Sequence, residues 1–332
     1  MKDAINKFPR YPLLPESTLV TKLCRLPKLV KNANIYIKRD DINYLGGGGN
    51  KLRKLEFYLG EAQFKGCDTI IAMGAWQSNH ARLSAAAALH AGFQCELVLG
   101  KKVARDDHDY INNGNNLLER AMGVKIHTLD SSADLMQYAI NRKAELETQG
   151  KKVYIIPFGG SDALGSLGYV NCAFEIAKQE HDNNIKFDYI ITPNGSSGTH
   201  AGLIVGCKLL NSTAQVIGYN VLAPTDTTLP TTLKLANEIL ELLGHKPTIT
   251  PEDILLNENY LGKGYGQPTV EMRKAIKLLA HEEGLFLDPV YSGKAFAGML
   301  GDIEAGKYLA GKNILYLMTG GTPGLYAYQS EF

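Results

Sequence analysis

The sequence predicts an α/β protein made of open, twisted sheets of parallel strands. Short apolar segments rich in β-branched residues alternate with amphipathic segments along nearly all 332 residues, which is typical of repeated βαβ units. The apolar segments are continuous rather than alternating, as expected for strands that helices cover on both faces. The chain also has 34 glycines, roughly 10% against a usual ~7%, which indicates many tight turns.

The elements follow one another without an internal repeat, a low-complexity tract or a linker. Candidate strands lie at 35–38, 69–73, 95–99, 124–128, 153–156, 189–192, 215–219 and 314–318. Candidate helices lie at 52–64, 79–90, 117–122, 133–148, 165–179, 199–210, 231–242, 269–283 and 294–306. Because no change in composition marks a boundary, we expect any second domain to be inserted into the first.

The composition excludes several classes of protein. Lys and Arg total 35 against 34 Asp and Glu, so the net charge gives no general attraction to nucleic acid or to a membrane surface. No apolar run approaches the ~20 residues of a membrane helix, and the first residues lack the pattern of a signal peptide. The five cysteines include no CxxC and the eight histidines no metal-binding pair. We therefore expect a soluble cytoplasmic protein without a bound metal.

Open α/β sheets bind ligands at the carboxyl ends of their strands, and four loops there have unusual residues. The first follows the strand at 35–38 and runs through four glycines, 46–49, to Asn50 and Lys51. It is not a nucleotide P-loop, because Asn50 and Leu52 stand where that motif needs Gly and Ser or Thr. A lysine in the first turn of a helix has a lowered pKa, which favours a nucleophile. The alternative is a flexible loop with a solvated lysine.

The second loop follows the strand at 69–73 and contains Ser78, Asn79 and His80. Ser78 has the position of an N-cap residue for the helix at 79–90. Free N–H groups at a helix start, together with polar side chains, form a carboxylate-binding site. The alternative is an ordinary helix cap with polar neighbours.

The third loop follows the strand at 189–192 and combines glycine with hydroxyl residues. It contains Gly195, Ser196, Ser197, Gly198 and Thr199. Backbone N–H groups, hydroxyls and the helix dipole favour a phosphate dianion there. Because the loop lacks a lysine and GxGxxG spacing, a phosphate monoester fits it better than a dinucleotide. The alternative is a plain glycine-rich turn.

The fourth loop, at 319–324, follows the last strand and begins Thr319-Gly-Gly. Its two glycines admit a flat ring close to the backbone, and Thr319 can hydrogen-bond a ring edge. Tyr265 and Tyr291 lie in other glycine- or proline-containing loops. They are candidate acids, bases or stacking groups, although such tyrosines more often serve packing.

A nucleophilic lysine, a phosphate cradle, a carboxylate site and a ring-admitting turn together describe pyridoxal 5′-phosphate as the cofactor. At this point the sequence resembles the fold-type II pyridoxal-phosphate enzymes, the tryptophan synthase β-like family. Within them it is similar to the branch of D-cysteine desulfhydrases and 1-aminocyclopropane-1-carboxylate (ACC) deaminases. The matching segments are GGNKLRKLEF at 48–57, QSNHARLSAAAA at 77–88, GSSGTHAG at 195–202, DPVYSGKA at 288–295 and TGGTPGLYAY at 319–328.

The resemblance implies a role for each candidate residue. Lys51 holds the cofactor covalently, Lys54 and residues 195–199 bind its phosphate, Asn79 its ring hydroxyl and Thr319 its ring edge. Ser78, Asn79 and His80 bind the substrate carboxylate, Ser78 is a possible proton relay, and Tyr265 and Tyr291 face the substrate from the other side. The resemblance also implies a homodimer and a small domain at 57–165, inserted into a large cofactor-binding domain formed by residues 1–56 and 166–332.

Two positions separate the activities of this branch. ACC deaminases carry Glu after the second tyrosine and an apolar residue before the last glycine pair, whereas this sequence has Ser292 and Thr319. A carboxylate keeps the ring nitrogen protonated and a hydroxyl does so less, so the resemblance favours α,β-elimination of D-cysteine to pyruvate, hydrogen sulfide and ammonia. Either Lys51 or a tyrosine removes the α-proton.

Three alternatives stay open at this stage: an ACC deaminase, an L-cysteate sulfo-lyase, which needs an extra cation, and a binding protein without cofactor. Trp76 departs from the branch pattern, which has a small or β-branched residue at that position, and it can narrow the pocket or stack on the substrate.

Overall fold

The computed structural model describes residues 2–14, 17–30 and 33–332, and these ranges form two sheets. The strands are β1 (Val20–Lys22), β2 (Asn34–Arg39), β3 (Thr69–Ala75), β4 (Gln94–Gly100), β5 (Lys125–Leu129), β6 (Val153–Ile156), β7 (Tyr189–Asn194), β8 (Gln215–Asn220), β9 (Leu255–Asn257) and β10 (Asn313–Met318). The helices are α1 (Lys2–Ile5), α2 (Lys51–Phe64), α3 (Asn79–His90), α4 (His108–Asn112), α5 (Asn115–Ala121), α6 (Leu135–Thr148), α7 (Ala163–Asp182), α8 (Gly198–Leu209), α9 (Thr225–Leu242), α10 (Val270–Glu283), α11 (Ser292–Glu304) and α12 (Pro323–Ala327).

The larger sheet brings together strands from distant parts of the chain. Its order is β1-β2-β10-β7-β8-β9. β1 runs antiparallel to β2, and the other pairs are parallel. Ile35 of β2 lies opposite Ile314 of β10. The ends of β7 and β10 therefore open at the same edge of the sheet.

The smaller sheet has the order β5-β4-β3-β6 and is parallel throughout. All seven residues of β3 are buried, which agrees with the continuous apolar pattern of that segment. Helix α3 packs on β3 and β4 through buried alanines, which allow a close approach and set the position of its first residues. The predicted α/β class, with parallel sheets, is thus confirmed.

The structure differs from the sequence prediction mainly in short elements. Strands β1 and β9 and helices α1, α4 and α12 were not predicted, because segments of three to five residues show too little periodicity. Helix α9 begins at Thr225 rather than at 231, although it contains Pro230. Pro230 is the sixth residue of this helix and removes one backbone hydrogen bond, while Thr228 and Thr231 add side-chain hydrogen bonds to the carbonyl oxygens of Pro224 and Thr227.

Helices α2 and α7 pack against each other and connect the two sheets along the chain. The predicted domain limits at 57 and 165 fall inside these two helices, and they stay a prediction. Within the described ranges, no helix combines the length and the apolar character needed to span a membrane. The same ranges contain no cluster of three His, Cys, Asp or Glu side chains suited to a metal ion.

Candidate active site

A single cleft collects almost all of the residues predicted to be functional. Its empty space measures about 900 Å³, part of which is open to solvent. The wall is formed by Asn50, Lys51, Ala75, Ser78, Asn79, His80, Lys102, Phe158, Gly159, Pro193, Asn194, Gly195, Ser196, Ser197, Thr199, Leu222, Tyr265, Tyr291 and Thr319. Lys54 and Gly198, which were also predicted, lie directly behind this wall. The cleft therefore forms where β3, β7 and β10 end, as expected for an open α/β sheet.

The glycine loop before Lys51 folds tightly beneath the start of α2. Gly46 to Gly49 all have positive φ angles, between 56° and 137°. A Cβ atom on Gly48 would lie 2.2 Å from the carbonyl oxygen of Asp41, so no other residue fits this position. The backbone N–H of Asn50 donates to the carbonyl oxygen of Thr319 at 3.0 Å, which ties the loop to the end of β10.

Lys51 and Lys54 are two buried ammonium groups on one side of α2. Both donate to the carbonyl oxygen of Gly159 at 3.3 Å, and Lys54 also donates to the hydroxyl of Ser161 at 2.9 Å. Burial lowers the pKa of Lys51 to about 8. Burial and repulsion from Lys51 hold the pKa of Lys54 well below its ordinary value. In the described part of the chain neither lysine forms an ion pair with a carboxylate.

The loop before α8 closes the other side of this cationic site. Ser196 shares a hydrogen bond of 2.7 Å with Ser161. A Cβ atom on Gly198 would lie 2.6 Å from Nζ of Lys54 and 2.9 Å from Oγ of Ser166. The hydroxyl of Ser166 is buried and has no hydrogen-bond partner among the described residues. Two ammonium groups, unpaired polar atoms and a helix start fit a phosphate group.

Within this loop, Ser197 takes a different role from its neighbours. Its φ angle is 64°, which is uncommon for a residue with a side chain. Its hydroxyl accepts a hydrogen bond of 2.8 Å from Thr232 on α9. That hydrogen bond ties the loop to α9 and leaves the hydroxyl proton of Ser197 free to donate.

The start of α3 confirms the cap predicted from the sequence. Oγ of Ser78 accepts a hydrogen bond from the N–H of Ala81 at 3.1 Å, while its own hydroxyl proton is free to donate. Both ring nitrogens of His80 are buried without a partner among the described residues. Burial, followed by repulsion from Lys51 and Lys54, holds the pKa of His80 well below its ordinary value, so its ring is neutral.

Tyr265 and Tyr291 face each other across the cleft wall. Their hydroxyl oxygens are 2.6 Å apart, within one hydrogen bond. Burial raises the pKa of both tyrosines, so both keep their protons near neutral pH. The carboxylate of Asp288 accepts the N–H of Tyr291 at 2.9 Å and thereby fixes the position of that tyrosine.

The turn after β10 needs glycines because other protein atoms lie close to it, which the sequence did not reveal. A Cβ atom on Gly320 would lie 2.8 Å from Cα of Gly49, and one on Gly321 would lie 2.4 Å from Nδ2 of Asn79. The turn thus makes room for protein atoms that border the cleft. Thr319 lines the cleft, whereas Ser292 is turned away and bonds to Oδ1 of Asp288 at 2.6 Å.

Sequence reasoning missed several cleft residues. Ser161, just behind the cleft wall, ends a Gly-Gly-Ser segment between β6 and α7, and Ser166 lies in the first turn of α7. This segment repeats the strand–glycine–hydroxyl–helix order of the third predicted loop and could have been found from it. Lys102, just after β4, lines the cleft, and its ammonium group donates to the carbonyl oxygens of Ser131 and Ala133. Trp76 packs instead with the aromatic cluster behind the two tyrosines.

Known proteins are similar to this chain in sequence and in architecture. Residues 16–320 match the family described as pyridoxal-phosphate dependent enzymes. A D-cysteine desulfhydrase of Yersinia enterocolitica is 40% identical over 331 residues, which cover 100% of this chain and 99% of the relative. A D-cysteine desulfhydrase of Serratia proteamaculans is 38% identical over 331 residues, with the same coverage.

Solved structures give a consistent result. A crystal structure described as that of an ACC deaminase homologue has a TM-score of 0.90 and 37% identity, and it covers 99% of this chain and 97% of that one. The crystal structure of an O-ureido-L-serine synthase has a TM-score of 0.65 at 17% identity, covering 97% of this chain and 92% of that one. The second similarity concerns the fold alone.

Proposed function

Because the chain belongs to the family of pyridoxal-phosphate dependent enzymes, we propose that it converts D-cysteine and water to pyruvate, hydrogen sulfide and ammonia by α,β-elimination. Its cofactor is pyridoxal 5′-phosphate. The observation that carries the proposal is the pair of buried ammonium groups, Lys51 and Lys54, beside a hydroxyl-lined cradle. The substrate follows from the D-cysteine desulfhydrases that match over their whole length.

In this proposal each side of the cleft holds one part of the cofactor. Lys51 forms the covalent link, and the phosphate lies between Lys54 and the loop that contains Gly195, Ser196, Ser197, Gly198 and Thr199. Asn79 binds the ring oxygen and Thr319 the ring nitrogen. When bound, the cofactor withdraws electrons from the substrate's α-carbon, so that the proton there can be removed and the β-substituent can leave.

The start of α3 binds the substrate carboxylate in the proposed enzyme. Ser78 and His80 line the cleft there, and the free hydroxyl proton of Ser78 can be donated to a carboxylate oxygen. Asn79 completes this set with its backbone N–H. A neutral His80 can donate one ring N–H without adding a buried charge.

The remaining side chains move protons. With a pKa of about 8, Lys51 has an uncharged fraction near neutral pH and can accept the α-proton. Tyr265 and Tyr291 keep their protons and share one hydrogen bond, so they can protonate the departing sulfur. A tyrosine remains the alternative acceptor of the α-proton, and the choice depends on which side of the cofactor the substrate's C–H bond faces.

Two observations favour second candidates. The structural similarity to an ACC deaminase homologue keeps ACC as a possible substrate. Against it, Ser292 and Asp288 bond to each other, and Thr319 offers a neutral hydroxyl to the cleft. The ammonium group of Lys102 is the extra cation that an L-cysteate sulfo-lyase needs, although it is held by two carbonyl oxygens.

We also infer a homodimer in the cytoplasm. Leu19, Ile42 and Tyr44 are more than half exposed and border a shallow apolar groove, which supports contact with a second copy. Light scattering on the purified protein tests the mass, and a monomer at micromolar concentration would contradict the dimer. Fractionation of the source cells tests the location.

A substrate panel tests the reaction. The loaded enzyme is given D-cysteine, L-cysteine, D-serine, L-cysteate or ACC, and pyruvate, sulfide, sulfite and ammonia are measured. We expect pyruvate and sulfide in equal amounts from D-cysteine, with the highest kcat/KM of the panel, and at most weak turnover of ACC. L-Cysteine is the matched control for stereochemistry. Efficient turnover of ACC with D-cysteine inert would overturn the proposed reaction.

A further inference from the structure

A chain of buried polar side chains lies directly behind Asn79. Nε of Arg82 donates to Oδ1 of Asn115 at 2.6 Å. Nδ2 of Asn115 then donates to Oδ1 of Asn79 at 3.0 Å and to the carbonyl oxygen of Gln77 at 3.2 Å. Arg82 and Asn115 are buried, whereas Asn79 borders the cleft, so the chain runs from the interior to the binding site.

The chemistry of these groups determines which way each amide points. An amide can usually be turned over without changing its shape, so its orientation depends on its partners. A guanidinium only donates, so the Asn115 atom that faces Arg82 must be the oxygen. A backbone carbonyl only accepts, so the Asn115 atom that faces Gln77 must be the nitrogen. Two independent partners therefore fix Asn115 in one orientation.

Asn115 in turn fixes Asn79. Because the nitrogen of Asn115 faces Asn79, the Asn79 atom that meets it must be the oxygen. Nδ2 of Asn79 is left without a protein partner in the described residues, beside Gly321 at the cleft. The cleft consequently receives an N–H donor and not a carbonyl oxygen.

We propose that Arg82 and Asn115 are positioning residues that hold Asn79 as a hydrogen-bond donor toward the ring oxygen of the cofactor. A donor at this point favours the ionised oxygen, which can only accept. This inference rests on the proposed function, because it requires the ring oxygen to meet Asn79.

Arg82 also connects this chain to the loop before Lys51. Its two terminal nitrogens donate to the carbonyl oxygens of Gly46 and Gly48, the second at 3.2 Å. One side chain thus positions both Asn79 and the glycine loop. The charged groups that act on Arg82 are Glu119 on α5, whose buried carboxylate oxygens form no hydrogen bond among the described residues, and Asp288.

The test replaces Asn115 with Asp, which has the same shape but cannot donate. The acidic side chain can still meet Arg82, but its second oxygen then requires Asn79 to turn over and present its own oxygen to the cofactor. The readout is the pH midpoint of the absorbance transition of protein loaded with pyridoxal phosphate, together with the Kd for pyridoxal phosphate. We expect Asn115→Asp to raise the midpoint by about one unit, a tenfold gain in proton affinity, and to raise Kd about tenfold.

A double variant separates the effect of the Asn79 amide orientation from the effect of the new negative charge. The new carboxylate could shift the midpoint through space alone, and that effect would persist when Asn79 is absent. If Asn115 acts through Asn79, the change Asn115→Asp in an Asn79→Ala background leaves the midpoint where Asn79→Ala alone puts it. Asn116→Ala is the matched control, because Asn116 is a buried neighbour that donates to Ile111 and does not contact Asn79. It should leave the midpoint unchanged.

The outcomes are distinct. An unchanged midpoint and Kd in folded Asn115→Asp overturns the inference, as does an equal shift in the Asn79→Ala background. If Asn115→Asp does not fold, Asn115→Ala is measured instead, and an unchanged midpoint in that variant also overturns the inference. Failure of the wild-type protein to develop any absorbance band with pyridoxal phosphate is a failure of the proposed function itself.

Discussion

The buried charges on the two sides of helix α2 differ in whether they form ion pairs. On one side, Arg53 donates to Asp40 at 2.8 Å and to Glu175 at 2.7 Å, and Lys38 joins the same cluster through Glu175. On the other side, Lys51 and Lys54 meet a carbonyl oxygen and a hydroxyl but form no ion pair in the described ranges. Burial is similar on both sides, so the difference lies in the partners.

The pKa values record this difference. Against the effect of burial, Asp40 and Glu175 raise the pKa of Arg53 well above its ordinary value, and Arg53 lowers that of Asp40. Burial lowers the pKa of both Lys51 and Lys54, and the carboxylate of Asp162 offsets this only in part for Lys54. A buried charge without a partner is costly unless something else supplies the partner. This cost supports the proposal that the cofactor binds on the unpaired side of α2.

The largest effect should come from Lys51→Ala. We expect the loss of measurable turnover and of the borohydride-sensitive absorbance band, because in the proposed enzyme this side chain forms the covalent link to the cofactor. Both are measured after incubation with excess pyridoxal phosphate. The control is Lys65→Ala, at the exposed end of the same helix, which should keep both properties. A borohydride-sensitive band in Lys51→Ala would assign the link to another lysine.

Arg53→Met should destabilise the protein without changing the side of α2 that carries Lys51 and Lys54. After this change the two buried carboxylates, Asp40 and Glu175, share a single cation, Lys38, so one negative charge has no partner. Breaking a buried ion pair in this way costs about 3–5 kcal/mol. The free energy of unfolding of the cofactor-free protein in urea measures the effect. A loss below ~1 kcal/mol would show that the cluster contributes little.

Lys54→Met should change stability in the opposite direction. Removing an unpaired ammonium group relieves its desolvation, so we expect the cofactor-free protein to unfold at the same or higher urea concentration than wild type. The Kd for pyridoxal phosphate should rise about 10- to 100-fold, because a hydrogen bond to a charged group is worth roughly 1.5–3 kcal/mol. Equal destabilisation in Lys54→Met and Arg53→Met would remove the distinction between the two sides.

The smallest effect is a pH dependence. In the proposed enzyme the uncharged amine of Lys51 is the nucleophile, so the rate of cofactor uptake should rise about tenfold per pH unit below pH 8 and level off above it. Stopped-flow absorbance measures this rate, with correction for the titration of pyridoxal phosphate itself. An ordinary lysine has a pKa near 10.5. A rate that keeps rising to pH 10 would contradict the lowered value.

The sequence predicted where these side chains lie better than what they contact. Lys51, Ser78 and Thr319 were found because glycine and polar residues interrupt an apolar pattern just after strands. The partners of Arg53 were not found, because Asp40 and Glu175 are brought to it by packing between segments far apart in the chain. Whether a buried lysine or arginine has an ion-pair partner is therefore decided by tertiary structure.

The glycines show the same limit. Their number predicted close approach, but the sequence assigned the turn at Gly320 and Gly321 to the ring of a ligand. The structure shows that Gly320 accommodates the backbone of Gly49 and that Gly321 accommodates the amide of Asn79. A glycine-rich sequence can indicate that other atoms approach the backbone closely without indicating which atoms these are.

The pairing of β2 with β10 also determines the order in which the protein can fold during synthesis. Asn34 and its partner Asn313 are 313 − 34 = 279 residues apart. The smaller sheet uses only residues between Thr69 and Ile156 and can form while the ribosome is still producing the rest. Strand β2 can pair early with β1 along one edge, but its other edge must wait for β10 and thus for nearly the whole chain. The nascent protein therefore has an open strand edge, beside the apolar Ile35 and Ile37, for most of its synthesis, and such an edge is a natural binding site for chaperones.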